Sequence, residues 1–152
     1  MNIETNSIVL MINFASTLYM VGLIWFVQLV HYPLLKGVGN EGFADYLNRH
    51  QRWTTFAVGP PMIAEAFSTM LLVWYPPPVN TALILLGAGL LLIIWVSTAL
   101  LQVPCHAKLE RGFDEPTHRQ LVLTNWIRTL CWSLRGLLVC WFALSAMTRA
   151  QF

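Results

Sequence analysis

Apolar residues run through this chain in four long blocks, at 8–30, 53–75, 79–103 and 121–147, separated by short polar stretches. Each block reaches roughly the 20 residues that a helix needs to cross the hydrocarbon core of a bilayer. None alternates in the manner of a strand, and only helices or closed barrels satisfy the backbone in lipid. The pattern predicts an all-α fold, an integral membrane four-helix bundle in which residues 1–152 form a single membrane domain. Its helices are expected over about 8–31, 44–75, 79–106 and 117–147. They make two antiparallel hairpins, one turning at the glycine-rich loop 36–41 and the other at 111–116, with Pro76-Pro77-Pro78 between them. Gly59-Pro60-Pro61 predicts a kink at 59–61, because proline removes a backbone donor and crowds the preceding turn. The first block lacks a basic leader and a small-residue cleavage site, so it reads as a retained span.

Composition agrees: 57% of the 152 residues are hydrophobic and 11% charged, which excludes a soluble domain with a polar surface. Charge then assigns sides. Lys36, Arg49 and Arg52 surround one long connection, Lys108, Arg111 and Arg119 the other, and the opposite side has only Arg149 and the charge-free triple proline. By the positive-inside rule the two longer loops are cytoplasmic and both termini non-cytoplasmic, as in a bacterial inner membrane. A net charge of +2 arises mostly from this asymmetry and makes no case for nucleic acid. Cys105, Cys131 and Cys140 form no CxxC pair, so they read as packing residues rather than disulfide partners.

Every histidine flanks a cytoplasmic loop. His31 ends the first span, His50 precedes the second, His106 ends the third and His118 precedes the fourth, so an antiparallel bundle carries all four to one membrane face. Imidazole is the commonest ligand for iron, copper and zinc, and bundles build such sites from facing helices. His31, His50, His106 and His118 are therefore candidate metal ligands, with iron, copper, haem or no cofactor at all as the alternatives. Interfacial hydrogen bonding and proton transfer are the competing roles. Gln28 and Gln102 lie three and four residues before His31 and His106, on shared helix faces.

The second group is charged and intramembrane. At 1.5 Å per residue, Arg128 lies about 15 Å deep, Glu65 about 18 Å and Arg135 about 24 Å. An unpaired charge there costs about 3 kcal/mol or more, so Glu65 is expected to pair with Arg128 or Arg135. Asn125, Arg128 and Arg135 form one polar stripe that must face the bundle interior, although Arg135 has the length to snorkel outward. One carboxylate against two guanidiniums leaves an excess positive charge, suited to a carboxylate, enolate, phenolate or quinone oxygen. Trp25, Trp53, Trp126 and Trp132 supply aromatic walls if they face inward, whereas Tyr32, Trp74 and Tyr75 fit the interfacial belt.

The segments VPCHAKL and NWIRTLCWSLR resemble the anthrone-oxygenase-like family of small four-helix membrane proteins, in which a Val-Pro motif closes the third span and an Asn-x-x-Arg-Thr motif opens the fourth. Here these are Val103-Pro104 and Asn125, Arg128 and Thr129. The resemblance implies oxidation of polyketide anthrones to anthraquinones. His106 stands where many relatives have Asn, and the second arginine and extra histidines set this chain apart.

Together these features point to a membrane oxidoreductase, oxygenase-like, acting on a lipophilic phenolic, quinone-like or enolisable small molecule. His31, His50, His106 and Arg128 are the candidate catalytic groups, and Asn125, Arg128, Glu65, Arg135, Gln28 and Gln102 the candidate substrate contacts. The alternatives are a cofactor-handling subunit of a larger membrane complex and a small transporter built as a homo-oligomer, with Gly87 and Gly89 as a packing face.

Overall fold

The computed structural model describes residues 3–39, 41–77 and 79–149, and these hold helices and turns without a strand. Pro78 and the Arg149 side chain, both used above to assign membrane sides, lie outside the described residues. The first span joins α1 (Ile3–Phe26), a π-helical turn at Val27–His31, α2 (Tyr32–Leu35) and a 3₁₀ turn at Lys36–Val38. The second is the single helix α3 (Phe43–Trp74). The third joins α4 (Thr81–Ser97), a π turn at Thr98–Gln102 and α5 (Val103–Leu109), and the fourth is α6 (Glu115–Arg149). All four are long and apolar enough to cross a membrane.

Side-chain contacts give the directions. Asn13 meets Ser68 and Thr69 while His31 meets His50, so the first and second spans are antiparallel. Gln28 reaches Val122 and Val21 approaches Gly136, which opposes the first and fourth. Gly87 meets Arg135 and Gln102 meets Thr124, which opposes the third and fourth. One end of the bundle thus collects the histidines and both longer loops, and is called the histidine end below.

Polarity is inverted relative to a water-soluble bundle. Asn13, Thr17, Gln28, Glu65, Gln102, Asn125, Thr129 and Arg135 are buried, whereas Met11, Leu29, Leu34, Phe56, Leu100, Leu137 and Trp141 face outward. Apolar surface this continuous fits an integral membrane protein, in which lipid covers it. Inside, the apolar residues form three layers. Tyr32, Leu35, Phe43, Leu47, Leu109 and Leu121 close the histidine end. Met20, Ile24, Met62, Ile94 and Trp132 form the middle, and Val9, Leu10, Leu72, Ile84 and Phe142 the far end.

The two π turns have one cause. Pro33 and Pro104 have no N–H for the carbonyl four residues back, and their rings crowd it. The ladder slips by one residue, so that the Tyr32 N–H bonds to Val27 O and the Val103 N–H to Thr98 O. Each slip holds a glutamine, Gln28 or Gln102, on the buried side. The same device thus recurs in the first and third spans. Pro60 and Pro61 behave differently, since α3 remains one α-helix through them.

Candidate functional site

Arg135, not Arg128, takes the carboxylate. Arg135 Nε donates to Glu65 Oε1 at 2.8 Å, with both side chains almost wholly buried. Thr17 Oγ1 also donates to Oε1, at 2.8 Å, and Trp132 Nε1 donates to Oε2 at 3.0 Å. Both terminal nitrogens are engaged as well: Nη1 donates to the Gly87 carbonyl and Nη2 to Thr69 Oγ1 at 3.0 Å. Asn13 completes the cluster, donating to Ser68 and Thr69 hydroxyls at 2.9 Å each. All four spans contribute, so this is a cross-brace in which each guanidinium nitrogen already has an acceptor. Neither Glu65 nor Arg135 lines the large cavity toward the histidine end. Snorkelling is also ruled out, because Arg135 is 2% exposed.

The same cluster explains Gly87. Its carbonyl lies against the guanidinium, and a Cβ there would sit 3.5 Å from Arg135 Nη1. Gly87 faces the interior rather than a neighbouring copy of the chain.

Arg128 is left without a carboxylate among the described residues. Its Nη1 donates to Asn125 Oδ1 at 3.3 Å, and its Cζ lies 5.1 Å from the centroid of the Trp132 ring. Asn125 is oriented in turn, since its Nδ2 donates to Gln28 Oε1 at 2.8 Å and so turns Oδ1 toward the arginine. Gln28 is fixed by donation from Nε2 to the Val122 carbonyl at 3.2 Å. The expected link from Glu65 to Arg128 is therefore indirect: Trp132 donates to the carboxylate and stacks under the cation. Arg128 is buried, and its Nε has no acceptor.

That orphan belongs to a group. Arg128 faces a cavity of about 460 Å³ between the spans, lined by Met20, Ile24, Val58 and Met62 on its apolar side. Around the same cavity, His31 Nε2, His106 Nδ1, Gln102 Oε1 and Gln51 Nε2 are buried without a hydrogen-bond partner. Buried polar atoms are normally paired, since each orphan costs about 1–3 kcal/mol. Five orphans around one apolar chamber single it out as the candidate site.

Three histidines meet there and the fourth does not. His31, His50 and His106 all line the cavity. His118 lies outside it, with Nε2 bonded to the Tyr32 carbonyl at 2.7 Å, which corrects the expected four-histidine cluster. The arrangement also fits a metal poorly. The His31 and His50 rings are stacked, 3.9 Å apart and 18° from parallel, so an ion in the plane of one ring stands well off the plane of the other. His50 Nε2 is bonded to Thr54 Oγ1 at 2.9 Å, and His106 Nε2 to the Tyr32 hydroxyl at 3.1 Å. Among the described residues no three His, Cys, Asp or Glu side chains gather as a ligand set.

Tyr32 is a site residue that the sequence reading placed in the interfacial belt. It is buried, and its hydroxyl lies beside Arg128 as well as His106. A guanidinium only donates, so the hydroxyl proton is directed to His106 Nε2, and the neutral ring then carries its own proton on the orphaned Nδ1. The signal available in the sequence was the spacing of four from Gln28 to Tyr32. Gln51, one residue past His50, was also missed. The aromatic walls differ from expectation: Trp53 points outward, Trp25 and Trp126 pack edge to face on each other, and Trp95 lines the cavity instead.

Comparison of the chain with family models, curated proteins and solved structures finds no match. The likeness to anthrone-oxygenase-like proteins thus rests on the residues around Val103-Pro104 and Asn125 to Thr129.

Proposed function

We propose that the chain is a membrane oxidoreductase, oxygenase-like, that binds a lipophilic phenolic, quinone-like or enolisable molecule in the Arg128 cavity. The observation that carries this reading is the uncompensated guanidinium at an apolar chamber ringed by unpaired polar atoms. Arg128 Nε–H and His106 Nδ1–H supply two donors for one ligand oxygen, and charge developing on that oxygen strengthens both bonds. His31, whose Nε2 is free, accepts the proton lost as a ketone enolises. Gln102 Oε1 takes a second donor on the ligand.

The donor set does not call for a metal, and none is needed for an electron-rich enolate to react with dioxygen. The balance for an anthrone is simple. Its ring CH₂ loses two hydrogens, one oxygen atom of dioxygen becomes the new carbonyl, and the other leaves with the hydrogens as water.

Six basic residues, Lys36, Arg49, Arg52, Lys108, Arg111 and Arg119, lie toward the histidine end. By the positive-inside rule we take that end to be cytoplasmic, with a bacterial inner membrane as the proposed location.

The test is turnover. Purified protein in liposomes is supplied with anthrone, and oxygen uptake and anthraquinone formation are followed against Arg128→Gln and His31→Phe variants. Stoichiometric uptake that each variant lowers by about 10²-fold or more supports the reading. Rates equal to protein-free liposomes in all samples would refute oxidation of this class.

A further inference from the structure

The cavity has an open side between two of the spans. Toward the histidine end the layer of Tyr32, Leu35, Leu47, Leu109 and Leu121 packs beside it, and His50, Gln51, Ala107 and Glu110 complete its lining. Toward the far end it is stopped by Met20, Ile94 and Trp132, with the Glu65–Arg135 brace beyond. Its lining residues that are exposed are Thr55 and Ile63 on the second span and Trp95, Val103 and Ala107 on the third. These two spans touch through α3 and α4 but part below Thr98, where α5 packs on α6 instead. The opening is therefore a slot between the second and third spans, with a mainly apolar rim in the part of the chain that faces lipid.

Local backbone chemistry favours a slot at this place. Pro60 and Pro61 deprive one wall of two backbone donors, and the π turn at Thr98–Gln102 shifts the ladder of the other. Both walls carry threonines inward, Thr54 and Thr98, which a ligand's polar end passes on its way to Arg128.

We propose that this slot is a lateral portal, and that the ligand is a bilayer-dissolved molecule entering sideways from the lipid. The proposal rests on the Arg128 cavity being the binding site and adds the route and the source of the ligand.

The test measures association in real time. Anthrone is kept under nitrogen and mixed, in preloaded liposomes, with wild-type protein and with Val103→Trp and Ile63→Trp, each narrowing the rim from one side. Leu100→Trp, on the outward face of the third span, is the control for an added ring. Both rim variants are expected to slow association by about tenfold while Leu100→Trp leaves it unchanged. Unchanged association in both rim variants overturns the portal, and so does a slowing produced only by Glu110→Trp, at the histidine-end corner of the cavity. Failure of the site itself has a separate sign: an Arg128→Gln protein that binds anthrone as tightly as the wild type.

Discussion

Arg135 and Glu65 meet at 2.8 Å in the middle of the bundle, whereas Arg128, seven residues earlier on the same helix, has no carboxylate among the described residues. Two arginines on one helix face thus have opposite roles. One is paired with a carboxylate and has an acceptor at each nitrogen, and the other is held by an amide, an aromatic ring and the Tyr32 hydroxyl.

The first consequence concerns stability. Glu65→Gln or Arg135→Met each strands the other member of a buried pair, and the loss should be about 3–5 kcal/mol. The double variant should lose less than the sum of the two. Thermal unfolding in detergent micelles measures this, and additive losses would contradict a direct pair.

Arg128 should behave in the reverse sense. Its burial is poorly compensated, so Arg128→Gln should leave the unfolding temperature unchanged or raise it, while ligand affinity falls about 10- to 100-fold, as expected for a charge-assisted hydrogen bond. Arg128→Lys should not restore affinity, because an ammonium cannot both reach Asn125 and present a fork to the ligand. A destabilised Arg128→Gln protein would recast Arg128 as a structural residue.

Tyr32→Phe removes the hydroxyl that meets His106 Nε2 at 3.1 Å. The imidazole is then free to choose its tautomer, and turnover of an enolisable substrate should fall by about tenfold. Binding of anthraquinone, which cannot enolise, should change by less than about twofold, so comparing kcat with that affinity separates positioning from packing.

Asp114 provides a pH prediction outside the spans. Donation from Lys108 Nζ, then from the Thr117 hydroxyl and backbone N–H, lowers its pKa to about 2 from the model-compound value of 3.8. A depressed folded-state value means that its stabilising contribution is complete above about pH 4 and is lost as pH falls toward 2. Asp114→Asn should flatten the stability curve within that window and leave it unchanged in slope above it. Acid-unfolding midpoints of the two proteins give the answer.

Much of the fold was legible because lipid imposes long apolar runs, and the expected helix limits differ from the observed ones by a few residues. Convergence of Asn125, Arg128 and Arg135 on the interior also followed from helical spacing. The choice between Arg128 and Arg135 did not, since Glu65 lies between their depths and side-chain reach decides it. The π turns were hidden for a related reason. Pro33 and Pro104 announce a disturbed ladder, but whether it slips, kinks or simply loses a bond depends on packing, and Pro60-Pro61 in an unbroken helix illustrates the contrast. Tyr32 was misplaced because a tyrosine near a membrane boundary has two homes, and composition cannot tell the belt from the core.

The most direct test is equilibrium binding of anthrone under nitrogen to the liposome-reconstituted protein, with Arg128→Gln beside the wild type. Saturation at one ligand per chain, weakened at least tenfold by the substitution, is the predicted result. Equal binding by both proteins, or none by either, would contradict the assignment of Arg128 and its cavity as a site for an oxygen-bearing lipophilic ligand.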